Sequence, residues 1–359
     1  MIYRWILFSV CVVIAQWINA QDSAVYSGNE KLRSFERKNE QALRIAFYNV
    51  ENLFDTINDP NTNDEEFLPT SDRKWDGYKY HEKLNHIYKT LTALGGWDAP
   101  AIIGFCEIEN RFVLNELITK TPWKKLKYNI IHEDSPDRRG IDVGLIYRSE
   151  KFRPLTHEAI RLTFPKDTSV KTRDILYVKG LVFKKDTLHV FVNHWPSRSG
   201  GQAASEPRRI FAAQKIRHYV DSICARDPDA NIVIMGDFND EPGDKSLLEG
   251  LQAKASKEEL KGCDLYNSSF PYFKQGKGTE KYKEHWAVLD QIILSSSLVT
   301  RKSGLMVQDG ISYIFDAPWL LEEDTKYMGT MPFRTYAGPR YLGGYSDHLP
   351  VFVDILKKK

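Results

Sequence analysis

The chain has 359 residues, of which 42% are hydrophobic and 27% charged, with a formal charge of +2. Those proportions are ordinary for a soluble globular chain and exclude a disordered polymer, a collagen-like repeat and a polytopic membrane protein. The near-neutral balance holds no charge block of the kind that marks a nucleic-acid tail, and at roughly 150 residues per domain the length allows two ordinary domains or one large one.

The first twenty residues, MIYRWILFSVCVVIAQWINA, place one early cation, Arg4, before an apolar run from Trp5 to Ala15 and end on the small Ala20. This is the layout of a secretory signal peptide, with cleavage after Ala20 and a secreted or periplasmic mature chain. A membrane anchor needs about 20 apolar residues, and Gln16 and Asn19 interrupt the run first. No membrane span is therefore expected in the mature chain. Residues 21–42 are polar and read as a linker. Cleavage removes Cys11 and leaves Cys106, Cys224 and Cys263, an odd set without metal-like spacing. Three buried thiols are expected, with one disulfide plus a free thiol as the alternative.

From Leu43 the texture changes to short β-branched and aromatic runs. LRIAFYNV, AIIGFCEIE, IDVGLIY, DILYVKGLVF, LHVFVNHW, NIVIMGDFN and HWAVLDQIIL are each predicted as strands. Leu84, Ile87, Leu91 and Leu94 recur at helical spacing within Tyr80–Leu94, and Gly95 and Gly96 close the run. A second helix is predicted over Glu206–Cys224, with Ser205 as cap, Pro207 in its first turn, and Ile210, Ala213, Ile216, Val220 and Ile223 on its apolar face. No repeat or long linker divides these elements, so one domain is expected over residues 43–359. Asn58–Asn63 and Lys274–Lys283 read as surface loops beside a candidate site.

The strand ends carry the chemistry. Asn49 and Glu51 follow one run, Glu107 and Glu109 another, Asn193 and His194 a third, and Asp237 and Asn239 a fourth; Asp347 and His348 precede the last strand. Rigid strands fix such groups while the loops beyond leave room for substrate. Singly, each motif has a structural account, because Asn and Asp are common turn formers. Asp290 is harder to dismiss. It lies among Val288, Leu289, Ile292 and Ile293, so it should be buried and needs a partner, and a histidine suits it.

In the order NVEN, a strand ending in Glu, N-H, GDFN, LDQI and SDH, the chain resembles the endonuclease/exonuclease/phosphatase superfamily from Leu43 to Leu356. The opening YNVENLFD looks most like a secreted bacterial nuclease branch. The resemblance implies an α/β four-layer sandwich, two face-to-face mixed β-sheets flanked by helices (deoxyribonuclease-like). It implies Glu107 as main ligand of a divalent ion, usually magnesium, with manganese or calcium as alternatives, and Asn49, Glu51 and Asp347 completing or supporting the shell. Asp237, steadied by Asn239, would orient or deprotonate the attacking water. His348, oriented by Asp290, would stabilise phosphoryl charge, and His194 would face the scissile phosphate with Asn193 beside it. Glu51 stands where many relatives carry Asp.

Arg198 reads equally as a phosphate contact or a solvated loop residue. Arg138 and Arg139 lie in a loop where they could meet a nucleic-acid backbone, though solvated surface arginines are expected, and Asp142 borders the expected cleft without an assigned role. The function expected is an exported metal-dependent phosphodiesterase hydrolysing nucleic acid (DNA, RNA or both), an endonuclease, with no stable protein partner. The alternative is a phosphatase or phospholipase-like enzyme acting on phosphoinositides, sphingomyelin or another small phosphoester. A non-catalytic binding protein would have lost a core group, and none of Glu107, Asp237, Asn239, Asp290 or His348 is missing.

Overall fold

The computed structural model describes residues 41–358 apart from 97, 166 and 259; the expected signal peptide and all but the last two residues of the expected linker lie outside them. Strand β1 (Gln41–Leu53) begins with those two residues and sets the pattern. Its Ile45 and Phe47 face one way and its Ala46, Tyr48 and Val50 the other, all buried. Coverage on both faces is why the strand reads as a continuous apolar run rather than an alternating one.

The chain then runs through α1 (Gly77–Gly95), β2 (Ile102–Ile108), α2 (Arg111–Lys120), β3 (Tyr128–His132), β4 (Asp142–Arg148), β5 (Phe152–Ile160), β6 (Ile175–Val182), β7 (Asp186–His194), α3 (Gln202–Cys224) and β8 (Ile232–Asp237). Next come β9 (Ala253–Lys254), β10 (Leu265–Asn267), α4 (Phe270–Lys274), β11 (Glu280–Tyr282), β12 (His285–Ala287), β13 (Asp290–Ser295), α5 (Ser296–Thr300), β14 (Gly304–Val307) and β15 (Tyr313–Ile314). Two small hairpins, β16 (Leu321–Glu323) with β17 (Thr330–Pro332) and β18 (Tyr336–Ala337) with β19 (Arg340–Tyr341), precede the long final strand β20 (Val351–Lys358).

One sheet has the order β14-β20-β1-β2-β4-β3, with β15 also paired to β20, and the other β5-β6-β7-β8-β13-β10-β9. Both are mixed: β1–β2 and β7–β8 are parallel, β1–β20 and β8–β13 antiparallel. Ile45, Phe47, Leu145, Val192, Met235 and Val353 fill the space between the sheets. Leu84, Ile87 and Leu91 of α1 and Leu117 of α2 cover the outer face of the first sheet, and Ala213, Ile216 and Val220 of α3 cover that of the second. This is the four-layer sandwich. At Gly104 the sheets are too close for a side chain, because a Cβ there would lie 2.7 Å from Met235 Cε and 3.1 Å from Val192 Cγ1.

Several expectations are corrected. HWAVLDQIIL divides into β12 and β13, because the chain turns where Leu289 and Asp290 both donate their N–H to Thr279 Oγ1. Helix α3 starts at Gln202, four residues early. Gly201, at φ 105°, turns the chain into it, and Ser205 lies inside with its hydroxyl on Gly201 O. On its inner face Ile210 and Ile223 are only partly covered, whereas Arg209 is fully buried in an ion pair with Asp240 at 2.7 Å. Strands β3 and β5 went unread because they are edge strands; β5 exposes Arg153, Thr156, His157 and Glu158 and so lacks an apolar run.

The cysteines follow the alternative. Cys224, at the end of α3, is disulfide-bonded to Cys263 in the turn before β10, and Cys106 is a buried free thiol. A separation of 39 residues concealed the proximity that the packing of α3 creates. Closing such a loop stabilises by about 2–4 kcal/mol through the unfolded chain. Cys263→Ser should lower the unfolding free energy by about that amount in oxidising urea titrations; an unchanged midpoint would show that the bridge contributes nothing.

Candidate functional site

Strands β7, β8 and β13 are neighbours, and their register pairs His194 with Asp237 and Asp237 with Asp290. Paired residues on adjacent strands point to the same face about 4.8 Å apart, so three residues far apart in sequence form one row at the sheet's rim. The first sheet contributes through irregularities. Its ladders slip between Asn49 and Leu53 and between Cys106 and Ile108, and Glu51, Asn52 and Glu107 adopt φ of 51°, 60° and 59°. Asn239 in the GDFN turn has φ 51°. Left-handed backbone at such residues costs on the order of 1–3 kcal/mol each. Bulges of this kind re-aim side chains, and here they turn the carboxylates toward the rim.

Asn49 joins the sheets. Its Nδ2 donates to Asp237 Oδ2 at 3.1 Å, while the Asn239 N–H donates to Asp237 Oδ1 at 2.9 Å. His348 Nδ1 lies 2.7 Å from Asp290 Oδ2. The Ser346 hydroxyl donates to Asn49 O and accepts the His348 N–H, which ties the SDH segment to β1. His194 Nε2 is 3.6 Å from Asp237 Oδ2 and 3.9 Å from Glu107 Oε1. Ligand atoms of Asp237, Asp290 and His348 lie within 4.8 Å of one another. Asn49, Glu107, His194, Asp237, Asn239, Asp290 and His348 thus converge.

The two buried histidines titrate in opposite directions. Burial disfavours charge on His348, but the Asp290 carboxylate, by charge and hydrogen bond, with Asp237 and Asp347 behind it, holds its pKa well above the usual imidazole range. Burial, with the positive charges of Arg173, Arg139 and His348, pushes His194 well below that range. Environments that push two imidazoles apart in this way favour the charged form of His348 and the neutral form of His194, the separation that divides acid and base roles. Burial, with Asp347 adding, raises the Glu107 carboxyl, and Arg139 and His348 oppose the rise. Burial likewise raises Asp237, against His348, the Asn239 N–H and Asn49.

Other expected site residues serve the fold. Asn193 is buried, with Nδ2 donating to Met235 O and Oδ1 accepting from Trp195 Nε1, so its amide is used up by the protein. Arg198 is partly exposed and tied to the loop after β8: Nε donates to Asn239 O at 2.8 Å and Nη2 to Asp244 at 3.2 Å. Asp142 pairs with His132 Nε2 at 3.0 Å and accepts the Ser135 N–H. Glu109 accepts the Asp55 N–H, and burial together with Asp55, Asp64 and Asp59 pushes its carboxyl up to about 8. Glu51 and Asp347 reach the rim but are held by protein donors: Thr335 N–H on Glu51 at 2.6 Å and Arg334 Nη2 on Asp347 at 2.7 Å.

Three site groups escaped the sequence reading, and a fourth was weighed there only as an alternative. Lys83 is fully buried on α1, its Nζ donating to Thr335 Oγ1 and Tyr345 O. Glu280 forms a backbone bridge with His348, and burial pushes its carboxyl up to about 7. Arg334 comes from the turn after β17. Arg139, expected as merely solvated, keeps half its side chain exposed, yet its charge bears on Glu107 and His194. Only Glu280 carried a signal, through its place in the polar Lys274–Lys283 segment.

Layers and strand order are those of the deoxyribonuclease-like fold, whose members act on phosphoesters. The chain belongs to the endonuclease/exonuclease/phosphatase family, whose sequence profile matches residues 44–357. No curated protein sequence matches it. Among solved structures it is similar to D. rerio TDP2 complexed with a single-strand DNA product (13% identity, TM-score 0.52, covering 88% of this chain and 99% of that one). It is similar to the human Nocturnin catalytic domain with bound sulfate (15%, 0.52, 89% and 97%) and to a Bacteroides thetaiotaomicron mannosyl-6-phosphatase (16%, 0.54, 87% and 99%).

The stabilising contribution of a group with a raised folded-state pKa is complete below its unfolded value and fades as pH rises through the folded one. His348 is such a group. Asp290→Asn removes the charge that holds it up, so the alkaline limb of turnover should move toward neutral pH and kcat should fall by about 10²-fold or more. An alkaline limb at unchanged pH would detach His348 from that ionisation.

Proposed function

We propose that the chain is an exported, divalent-metal-dependent phosphodiesterase that cleaves nucleic acid as an endonuclease. The observation that carries the chemistry is the convergence of two buried imidazoles on the Asp237 carboxylate, His194 Nε2 at 3.6 Å from it and His348 grouped with it through Asp290. Export is supported by the N-terminal segment and by the Cys224–Cys263 bridge, since such bonds persist in oxidising compartments.

Glu107 fits a hard divalent cation, and Asn49 stands beside it with Oδ1 already accepting the Glu51 N–H at 3.0 Å, so the amide would share that oxygen with the ion. Glu107 accepts the Asn52 N–H on one oxygen, and among the described residues its other oxygen has only His194 within ion-pair distance. Carboxylate and amide oxygens suit magnesium or manganese rather than a soft metal. When bound there, the ion would screen phosphoryl charge and acidify water. The protein's own residues supply the rest. Asp237, fixed on both oxygens by Asn49 and Asn239, orients a water and accepts its proton. The His348 imidazolium, held by Asp290, donates to a phosphoryl oxygen where negative charge gathers. Neutral His194, whose Nδ1 has no protein partner, faces the leaving-group side with an N–H to donate. Arg139 at the mouth supplies a guanidinium for the backbone phosphate.

Hydrolysis of a small phosphoester is the second reading. The formal charge of +2 favours it, because strong backbone binding normally shows a basic surface. Plasmid nicking set against phosphate release from inositol and sugar phosphates, both with magnesium, separates the two; release without nicking would replace the first reading by the second. Glu107→Gln should raise the magnesium concentration for half-maximal activity by about 10-fold or more, and an unchanged titration would remove Glu107 from the shell.

A further inference from the structure

Arg334 follows β17, and its backbone is fixed. Tyr345 N–H donates to Phe333 O at 2.6 Å, Leu342 N–H donates to Thr335 O at 2.9 Å, and Gly344 passes so close that a Cβ would lie 2.3 Å from Arg334 O. From this frame the guanidinium reaches both carboxylates that the family resemblance assigned to the metal beside Glu107. Nη2 lies 2.7 Å from Asp347 Oδ2 and Nε 3.5 Å from Glu51 Oε1. The next two residues close over Glu51, with the Thr335 N–H at 2.6 Å on Oε2 and the Tyr336 N–H at 3.5 Å from Oε1. On its inner side the Lys83 ammonium stands 4.0 Å from Oε2.

Glu51 therefore faces two protein cations and two backbone donors, while Glu107 has no lysine or arginine within ion-pair distance among the described residues. Two-metal phosphoesterases hold their ions about 3.5–4 Å apart between shared carboxylates. A guanidinium seated on two of those carboxylates repels a second ion and removes its ligands. Arg334 remains 41% exposed, so part of its planar fork, of the kind matched to phosphoryl oxygens, stays open to solvent beside the two carboxylates.

We propose that Arg334 takes the place of a second metal ion: it neutralises Glu51 and Asp347, limits the chain to one cation at Glu107, and offers its outer N–H groups to a phosphoryl oxygen of the substrate. The substrate contact rests on the phosphoesterase reading above; the ion count does not. The test is calorimetric titration of the full chain with Mn2+ in the absence of substrate. Wild type should bind one ion, and Arg334→Met should bind a second, weaker one. Its KM for a phosphate ester should rise about 10-fold, with partial recovery on adding millimolar guanidinium ion. Two ions on wild type, a count that needs no variant, would overturn this proposal alone. No ion on wild type would overturn it together with the metal assignment above. A variant still binding one ion, or with unchanged KM, would overturn the role of Arg334.

Discussion

Like charge is the constraint on which the site is built. Glu51, Glu107, Asp237, Glu280, Asp290 and Asp347 share one rim, and Glu51, Asp237 and Asp290 among them are buried. Carboxylates this close cannot all stay ionised without compensation. The protein supplies it unevenly. His348 answers Asp290, Lys83 and Arg334 answer Glu51 and Asp347, and Arg139 stands off Glu107 at the mouth. Glu107, by contrast, has no lysine or arginine within ion-pair distance among the described residues, its one such neighbour being His194 Nε2 at 3.9 Å.

The sandwich makes that concentration affordable by spreading its cost over a large core. Three apolar layers, between the sheets and beneath the helices on either side, carry the fold, so the rim can hold strained and desolvated groups. The strain is localised. Glu51, Asn52, Glu107 and Asn239 are left-handed at the points where ladders slip or turns tighten. The Asn49–Asp237 hydrogen bond then fixes the separation of the two sheets at the rim, which sets the distance between the Glu107 side of the site and the imidazole side.

What the sequence made legible follows from this division. Asp237, Asn239, Asp347 and His348 sit at the ends of long apolar strands, so periodicity located them, and Asp290 announced itself as a carboxylate among aliphatic neighbours. The β-rich texture fitted a sandwich, but its layers were implied by the family resemblance. Lys83 was hidden because it lies beside Leu84 in a helix whose face was read as purely apolar. Arg334 was hidden because its neighbours are formed by turns and short hairpins with no period. Proximity in sequence to His194 does not tell which way a side chain points: Asn193 turns its amide inward to Met235 O, while Arg198 stays partly exposed with its Nε on Asn239 O. The disulfide was hidden by the 39 residues between its cysteines.

Net charge proves a poor guide to the substrate in such a chain. A total of +2 averages a rim, where acids outnumber cations, with ions that pair elsewhere, as buried Arg44 does with Asp354 and Arg217 with Asp221. Recognition of an anionic substrate then depends on the few cations that face the cleft and keep N–H groups unspent. Arg139 and Arg334 meet that description from opposite sides, one beside Glu107 and His194, the other beside Glu51 and Asp347. If one divalent ion sits at Glu107, these two guanidiniums are arginine charges that bear on its surroundings, and contacts to a substrate phosphate there would draw on them before the net charge of the chain.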